Sequence, residues 1–490
     1  MAGARGQWNS RFGFIMAAVG SAVGLGNLVR FPKEMAGQGG AAFLLVYLVL
    51  LILVGLPALL GEMSLGKLAD MSPVNAFRKM AGSDKSKWAV LGVFGMMAAI
   101  FVLFFYTVIG GWALRFFFET FRDGWWDEPT ALYGRAAYGP WAILWNLVVS
   151  AAMVYIVSRG VSGGIEKASV IMMPTLFAII IGIVIFAAVK DGAAGFEGMK
   201  AVWTPKFSEL EVNHISKATG QVFFSLSLGQ GAMLTYASYM EKKQSIAKDG
   251  TTIAVADTGV AVLAAMMIFP ILAFTGLLAQ ADANPTGEIA GAVSGSSFGT
   301  AFIAMPAAFV EMGAVVGRMV GSVFFLALFF AALSSAISLL EVPVAILGDN
   351  RGVPRWKAAI LIGLVTYSFG VLSATNEHWL LLFDEVAINV FIVIGVALTT
   401  VFVGWRVPGV AKELDAGLKS RIGIYVVWMM RTATPLLIVF AFVFGGLWGV
   451  NPAGDFEFWF LTESGCEPDC GTSSNWAAMV RTFGQAMRFE

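Results

Sequence analysis

The stretch GSAVGLGNLVRFP, Gly20 to Pro32, lies inside an apolar run that extends from residue 11 to 37. A helix whose only task is to cross a bilayer needs about 20 apolar residues and no special chemistry. Here glycines at 20, 24 and 26 are followed by Asn27, Arg30 and Pro32. Glycine weakens a helix, proline removes an N–H, and amide or guanidinium groups are costly in hydrocarbon. Glycines placed for close helix packing would account for Gly20 and Gly24, but not for the polar residues beside them. The pattern predicts a membrane helix interrupted near its middle.

The rest of the chain fits a membrane setting. Of 490 residues, 58% are apolar and only 13% charged, about half the charged share of a soluble domain. Apolar runs of about 20 residues recur throughout, too long and too uniform for barrel strands. Eleven spans are expected, at roughly 11–37, 41–67, 88–121, 140–157, 165–189, 216–240, 251–280, 308–347, 357–375, 379–404 and 423–448. The fold class is therefore all-α and polytopic.

Arg5 and Arg11, Lys67 to Lys87, Arg159 and Lys167, Lys242 to Lys248, Arg351 to Lys357 and Arg406 to Arg421 all fall on one side of this arrangement. The positive-inside rule puts that side in the cytoplasm. Residues 1–10 become a cytoplasmic arm, 11–448 the membrane domain and 449–490 an extracytoplasmic tail. In that tail Cys466 and Cys470 are either paired or free. The first ten residues are polar and no small-residue cleavage site follows, so no cleavable signal peptide is expected.

Zero net charge gives no footing for a nucleic-acid partner. Two His and two Cys argue against a His/Cys metal cluster, and neither a P-loop, an HExxH pair nor a protease-like Ser/His pairing occurs. An enzyme is not expected. A second interruption, FSLSLGQGA from Phe224 to Ala232, falls in span 6. Spans 1 and 6 each open a set of five. Interrupted helices at corresponding positions of two halves point to the binding site of an inverted-repeat transporter.

The motif at 20–32, GGAAFLLVYLVLLILVGLPALLGEMSLG at 39–66 and SLSLGQGAMLTYASY at 225–239 resemble the neurotransmitter:sodium symporter family. The similarity runs over spans 1 to 10 and is closest to the bacterial amino-acid-transporting branch. It implies a LeuT-type fold of five-plus-five inverted repeats with discontinuous helices 1 and 6. It also implies sodium-driven import of a neutral amino acid across the bacterial inner membrane by a monomer or weak dimer. The physical reason is simple: an unwound helix frees backbone dipoles that a zwitterion and sodium ions can satisfy.

The resemblance further implies particular residues. One sodium would be held by the Ala22 carbonyl, Asn27, Ser225, Asp257 and the substrate carboxylate. A second would use the carbonyls of Gly20, Val23 and Ala331 with the hydroxyls of Ser334 and Ser335. The substrate carboxylate would meet the amides of Leu25 and Gly26 and the Tyr106 hydroxyl. Val102, Phe224, Ser227, Gln230, Ser335 and Leu339 would line its side chain. Gly24, where amine-transporting relatives carry an aspartate, favours amino acids over amines. Chloride-dependent relatives hold an anion near the positions of Tyr47, Gln221 and Ser225; chloride-independent ones place a carboxylate there. Ala261 lacks it, so Asp257 is expected to supply the negative charge and remove any need for chloride.

Arg30 would form an outer gate. Ala387 stands where relatives carry its aspartate partner, leaving Asp384 or Asn389 as substitutes. Arg5, Trp8, Tyr239 and Asp349 match a cytoplasmic latch, and GIEKASVIMMP, with Gly164 and Pro174, matches a segment that unwinds in span 5. Two sodium ions falling through about 100 mV and a tenfold gradient release roughly 7 kcal/mol, enough for about 10⁵-fold accumulation of a zwitterion. A receptor that binds without cycling, or a transporter of an amine or osmolyte, is the alternative.

Overall fold

The computed structural model describes residues 6–122, 129–190, 200, 203–284, 291–295, 297–418, 421–442, 448–450 and 456–458. Cys466, Cys470, Arg5 and nearly all of the expected tail lie outside the described residues. Among those described, eight helices are long and apolar enough to cross a membrane, or ten when two bent pairs each count as one span. The expected sixth span is two short helices, Val212–Ser225 and Ala232–Ala237.

Span 1 comprises Arg11–Ala22 and Gly26–Gly37, bent by 51° at the glycine motif. Ser10 caps it, its side chain accepting the Gly13 N–H, which satisfies one of the amides a helix start leaves orphaned. The unbroken spans are Ala41–Ala69, Ala89–Glu119, Pro140–Ser158, Val161–Lys190, Ile246–Phe274, Ala314–Arg351, Arg355–Thr375 and Glu377–Arg406. Ala314–Arg351, span 8, is the most enclosed and runs through the middle of the bundle against spans 1, 3 and 5. Pro140–Ser158, span 4, leaves most of its surface outward, as a lipid-facing helix should.

Three boundaries differ from expectation. Span 8 does not begin at 308: Gly313 at φ 84° separates it from a shorter apolar helix, Thr300–Glu311. Span 7 ends at Phe274, before Gly276 at φ 78°. Span 11 is no single rod but Ile422–Arg431 and Ala433–Ala441, bent by 43°. Thr432 leaves helical geometry there, at φ −129° and ψ −84°. Continuous hydropathy conceals all three, because apolarity persists through the turns. A two-stranded antiparallel ribbon, Trp448–Val450 with Phe456–Phe458, follows.

Candidate functional site at the two helix breaks

The first break begins where Val23 leaves the helix at φ −72° and ψ 103° while its N–H still reaches the Val19 carbonyl at 2.6 Å. The chain resumes as a wider π-type turn, Gly26–Arg30. Side chains replace the missing helical partners: the Gly24 N–H donates to Asn27 Oδ1 at 3.1 Å and the Leu25 N–H to the Tyr106 hydroxyl at 2.9 Å. Close approach explains two glycines. A Cβ on Gly24 would meet the Tyr106 hydroxyl and lie 2.7 Å from Ser335 Oγ; one on Gly26 would lie 2.8 Å from the Phe224 ring.

The second break follows Ser225. Ser227 at φ 52°, Gly229 at φ 71° and Gly231 at φ 73° turn the chain through left-handed geometry. Ser227 carries a steric penalty of about 1–2 kcal/mol there, offset by its Oγ donating to the Ser21 carbonyl across the site at 2.7 Å. The Gly229 N–H donates to Glu62 Oε1 at 2.7 Å. Glu62 is not among the expected site residues, although a lone carboxylate in LLGEMSLG carries the signal of an intramembrane charge with a role to play.

The two breaks face one narrow pocket. Ala22, Gly26, Val102, Tyr106, Phe224, Ser227, Gln230, Ser335 and Leu339, all expected, line it together with Ser21 and Gly24. Leu25 does not line it; its amide is engaged by Tyr106. No lining side chain is charged.

Beside the pocket, Asn27 Nδ2 donates to Asp257 Oδ1 at 2.8 Å, to the Asp257 carbonyl at 3.0 Å and to Ser225 Oγ at 2.9 Å. Ser225 Oγ donates to Asp257 Oδ2 at 2.7 Å, and all three residues are buried. This oxygen-rich set with one carboxylate suits a small hard cation. Tyr47 packs nearby, and its hydroxyl, Gln221 Oε1 and Thr258 Oγ1 are buried without a well-formed hydrogen bond among the described residues. Ala261 is fully buried one turn beyond Asp257.

A second cluster joins spans 1 and 8. Ser335 Oγ donates to the Gly20 and Ser21 carbonyls, each at 3.3 Å, and Ser334 Oγ back-bonds to the Ala331 carbonyl at 3.1 Å. A Cβ on Gly20 would lie 3.1 Å from Ser334 Cβ and 3.0 Å from Met173 Sδ of span 5. Gly20, Ala331, Ser334 and Ser335 thus gather at one place; Val23, three residues beyond Gly20, is buried with its N–H turned back to Val19.

At the face that carries the N-terminus, Trp8 is 3% exposed and wedged edge-on against Phe14, Tyr236 and Tyr239, its Nε1 donating to the Tyr236 carbonyl at 3.0 Å. Tyr239 donates its hydroxyl to Glu341 Oε1 at 2.6 Å, and Arg355 pairs with Glu341 Oε2. Asp349 caps the Ser72 N–H at 2.8 Å. Glu166, in the span 5 turn, accepts from the Asn9 N–H at 2.7 Å and Ser10 Oγ at 2.9 Å. Glu166, Glu341 and Arg355 escape a reading of the sequence because only the fold reveals their partners.

Trp8→Ala is expected to remove about 3–5 kcal/mol of packing from this closed face. Hydrogen exchange should quicken at residues 7–22 and 161–166 while distant core helices stay protected; unchanged exchange at both segments would contradict the latch. On the opposite side, the Arg30 guanidinium lies 5.8 Å from the Phe224 ring centre, a cation–π distance. Asp384 is within its electrostatic reach, but no Arg30–Asp384 ion pair within 4 Å occurs among the described residues.

Comparison with known proteins agrees with this arrangement. The chain matches the Sodium:neurotransmitter symporter family over residues 5–137 and 136–460. It is 33% identical over 460 residues to an uncharacterized sodium-dependent transporter of Bacillus subtilis, covering 89% of this chain and 97% of the relative. The human sodium- and chloride-dependent neutral and basic amino acid transporter B(0+) is 24% identical over 521 residues, covering 90% and 79%. The crystal structure of MhsT in complex with L-phenylalanine superposes with a TM-score of 0.78 at 33% identity, over 90% of this chain and 99% of that one. The chain belongs to the sodium:neurotransmitter symporter family, whose members are transporters rather than enzymes.

Proposed function

We propose that this protein is a symporter that uses two sodium ions to import a neutral amino acid, without a chloride requirement. The supporting observation is the contiguity of the Asn27–Ser225–Asp257 cluster with an uncharged pocket through the Gly24–Asn27 turn. A cation there is adjacent to the place where a substrate carboxylate would sit, so each stabilises the other. The Gly20–Ser335 cluster is the second sodium site, and the N-terminal face is cytoplasmic. Asp257 provides the fixed negative charge beside Tyr47 and Gln221.

Proteoliposomes with an inward sodium gradient should accumulate labelled neutral amino acid equally well in chloride and in gluconate. Uptake that collapses in gluconate would overturn chloride independence, a pointed test because the human relative is named chloride-dependent. Counterflow of labelled amino acid separates this transporter from a receptor that binds without exchange. An amine substrate is disfavoured because no lining side chain carries a charge to pair with a lone ammonium.

A further inference from the structure

We infer, resting on the amino-acid reading above, that Gln230 sets side-chain preference and that the substrate is a neutral amino acid bearing a hydroxyl or carboxamide. The pocket's other polar side chains each already hold a hydrogen bond within the protein. The Tyr106 hydroxyl accepts from the Leu25 N–H, and Ser21 Oγ donates to Ser338 Oγ at 2.8 Å. Ser227 Oγ donates to the Ser21 carbonyl, and Ser335 Oγ is turned to the Gly20 and Ser21 carbonyls.

Gln230 differs. It lines the pocket and is 2% exposed, yet its carboxamide has no hydrogen-bond partner among the described residues. Its oxygen and nitrogen are nonetheless not among the sealed-off orphan atoms, so its small residual accessibility belongs to the cavity. A carboxamide both donates and accepts, and burying one unpaired is unfavourable unless something in the cavity completes it.

The backbone that carries the group is held in place. Gly229 and Gly231 on either side hold left-handed geometry, and a Cβ on Gly95 of span 3 would lie only 3.4 Å from the Gln230 backbone carbon. The turn therefore keeps the Gln230 side chain rooted at the pocket wall unless span 3 moves. Val102, Phe224 and Leu339 supply apolar walls for the stem of a side chain. The absence of a lining charge excludes an ionised tip. A neutral hydrogen-bonding tip on an apolar stem satisfies every wall.

The test uses purified full-length protein in detergent and matched ligand pairs: threonine against valine, and asparagine against leucine. Calorimetric titration in sodium should give about tenfold or tighter binding for the polar member of each pair, because an apolar isostere leaves Gln230 unpaired. Gln230→Leu should abolish or reverse that preference. Equal affinity within both wild-type pairs overturns the inference while leaving sodium-coupled amino-acid binding intact, and needs no variant to fold. A preference that survives undiminished in folded Gln230→Leu overturns the role of this residue. Failure of every amino acid to bind in sodium removes the proposed function and this inference together.

Discussion

Gly24→Ala should cut sodium-driven uptake by at least about 100-fold while the chain remains folded. The added Cβ would collide with the Tyr106 hydroxyl and come within 2.7 Å of Ser335 Oγ. Relief requires Tyr106 to withdraw from the Leu25 N–H, or Ser335 to leave the Gly20 and Ser21 carbonyls. One route leaves the Leu25 amide without its partner, and the other disturbs the Gly20–Ser335 cluster proposed to hold the second sodium. Overpacking of this kind costs about 1–3 kcal/mol of stability, which a domain this size tolerates. Uptake and melting temperature should therefore part company. Near wild-type transport by a normally folded Gly24→Ala protein would show that substrate does not sit against this turn.

Asp257 yields the second large effect. Asp257→Ala removes the carboxylate that accepts from Asn27 Nδ2 and Ser225 Oγ; Nδ2 keeps the residue 257 carbonyl and Ser225 Oγ as acceptors, whereas the buried Ser225 hydroxyl loses its acceptor at a cost of about 1–3 kcal/mol. Sodium-dependent uptake should fall by roughly 100-fold or more. Asp257→Asn separates charge from shape. It keeps an oxygen for the cation but removes the fixed negative charge beside Tyr47 and Gln221, so residual uptake should become stimulated by chloride. Wild-type rates for Asp257→Asn in gluconate would rule out Asp257 as the anion substitute.

What the sequence discloses and withholds follows from the kind of signal each residue carries. Asn27, Asp257 and the glycines of both breaks are conspicuous because they interrupt apolar runs, and the fold brings Asn27 and Asp257 into hydrogen-bond contact beside the breaks. Glu62, Glu166 and Glu341 are equally conspicuous, but their partners are a backbone amide of span 6, the N-terminal arm, and a tyrosine with an arginine from other elements. No sequence spacing encodes those meetings. The turn at Gly313 and the bend at Thr432 are hidden for the opposite reason: hydropathy measures the solvent a segment meets, not its path. Ser227 gives no warning at all. Its left-handed backbone depends on a carbonyl that span 1 exposes only because span 1 is itself broken.

Glu341 has a bearing on how this carrier behaves in a cell of changing salinity. Its carboxylate is wholly enclosed, with one oxygen taken by Tyr239 and the other by Arg355. Dissolved electrolyte weakens charge pairs only where it can reach them, over a distance of about 8 Å at physiological strength. Added salt reaches this fastening only from the part-exposed Arg355 side, and the bond from Tyr239 to Glu341 lies behind it, so osmotic stress that raises the ionic strength of the surrounding fluid loosens the charge pair before it touches the hydrogen bond.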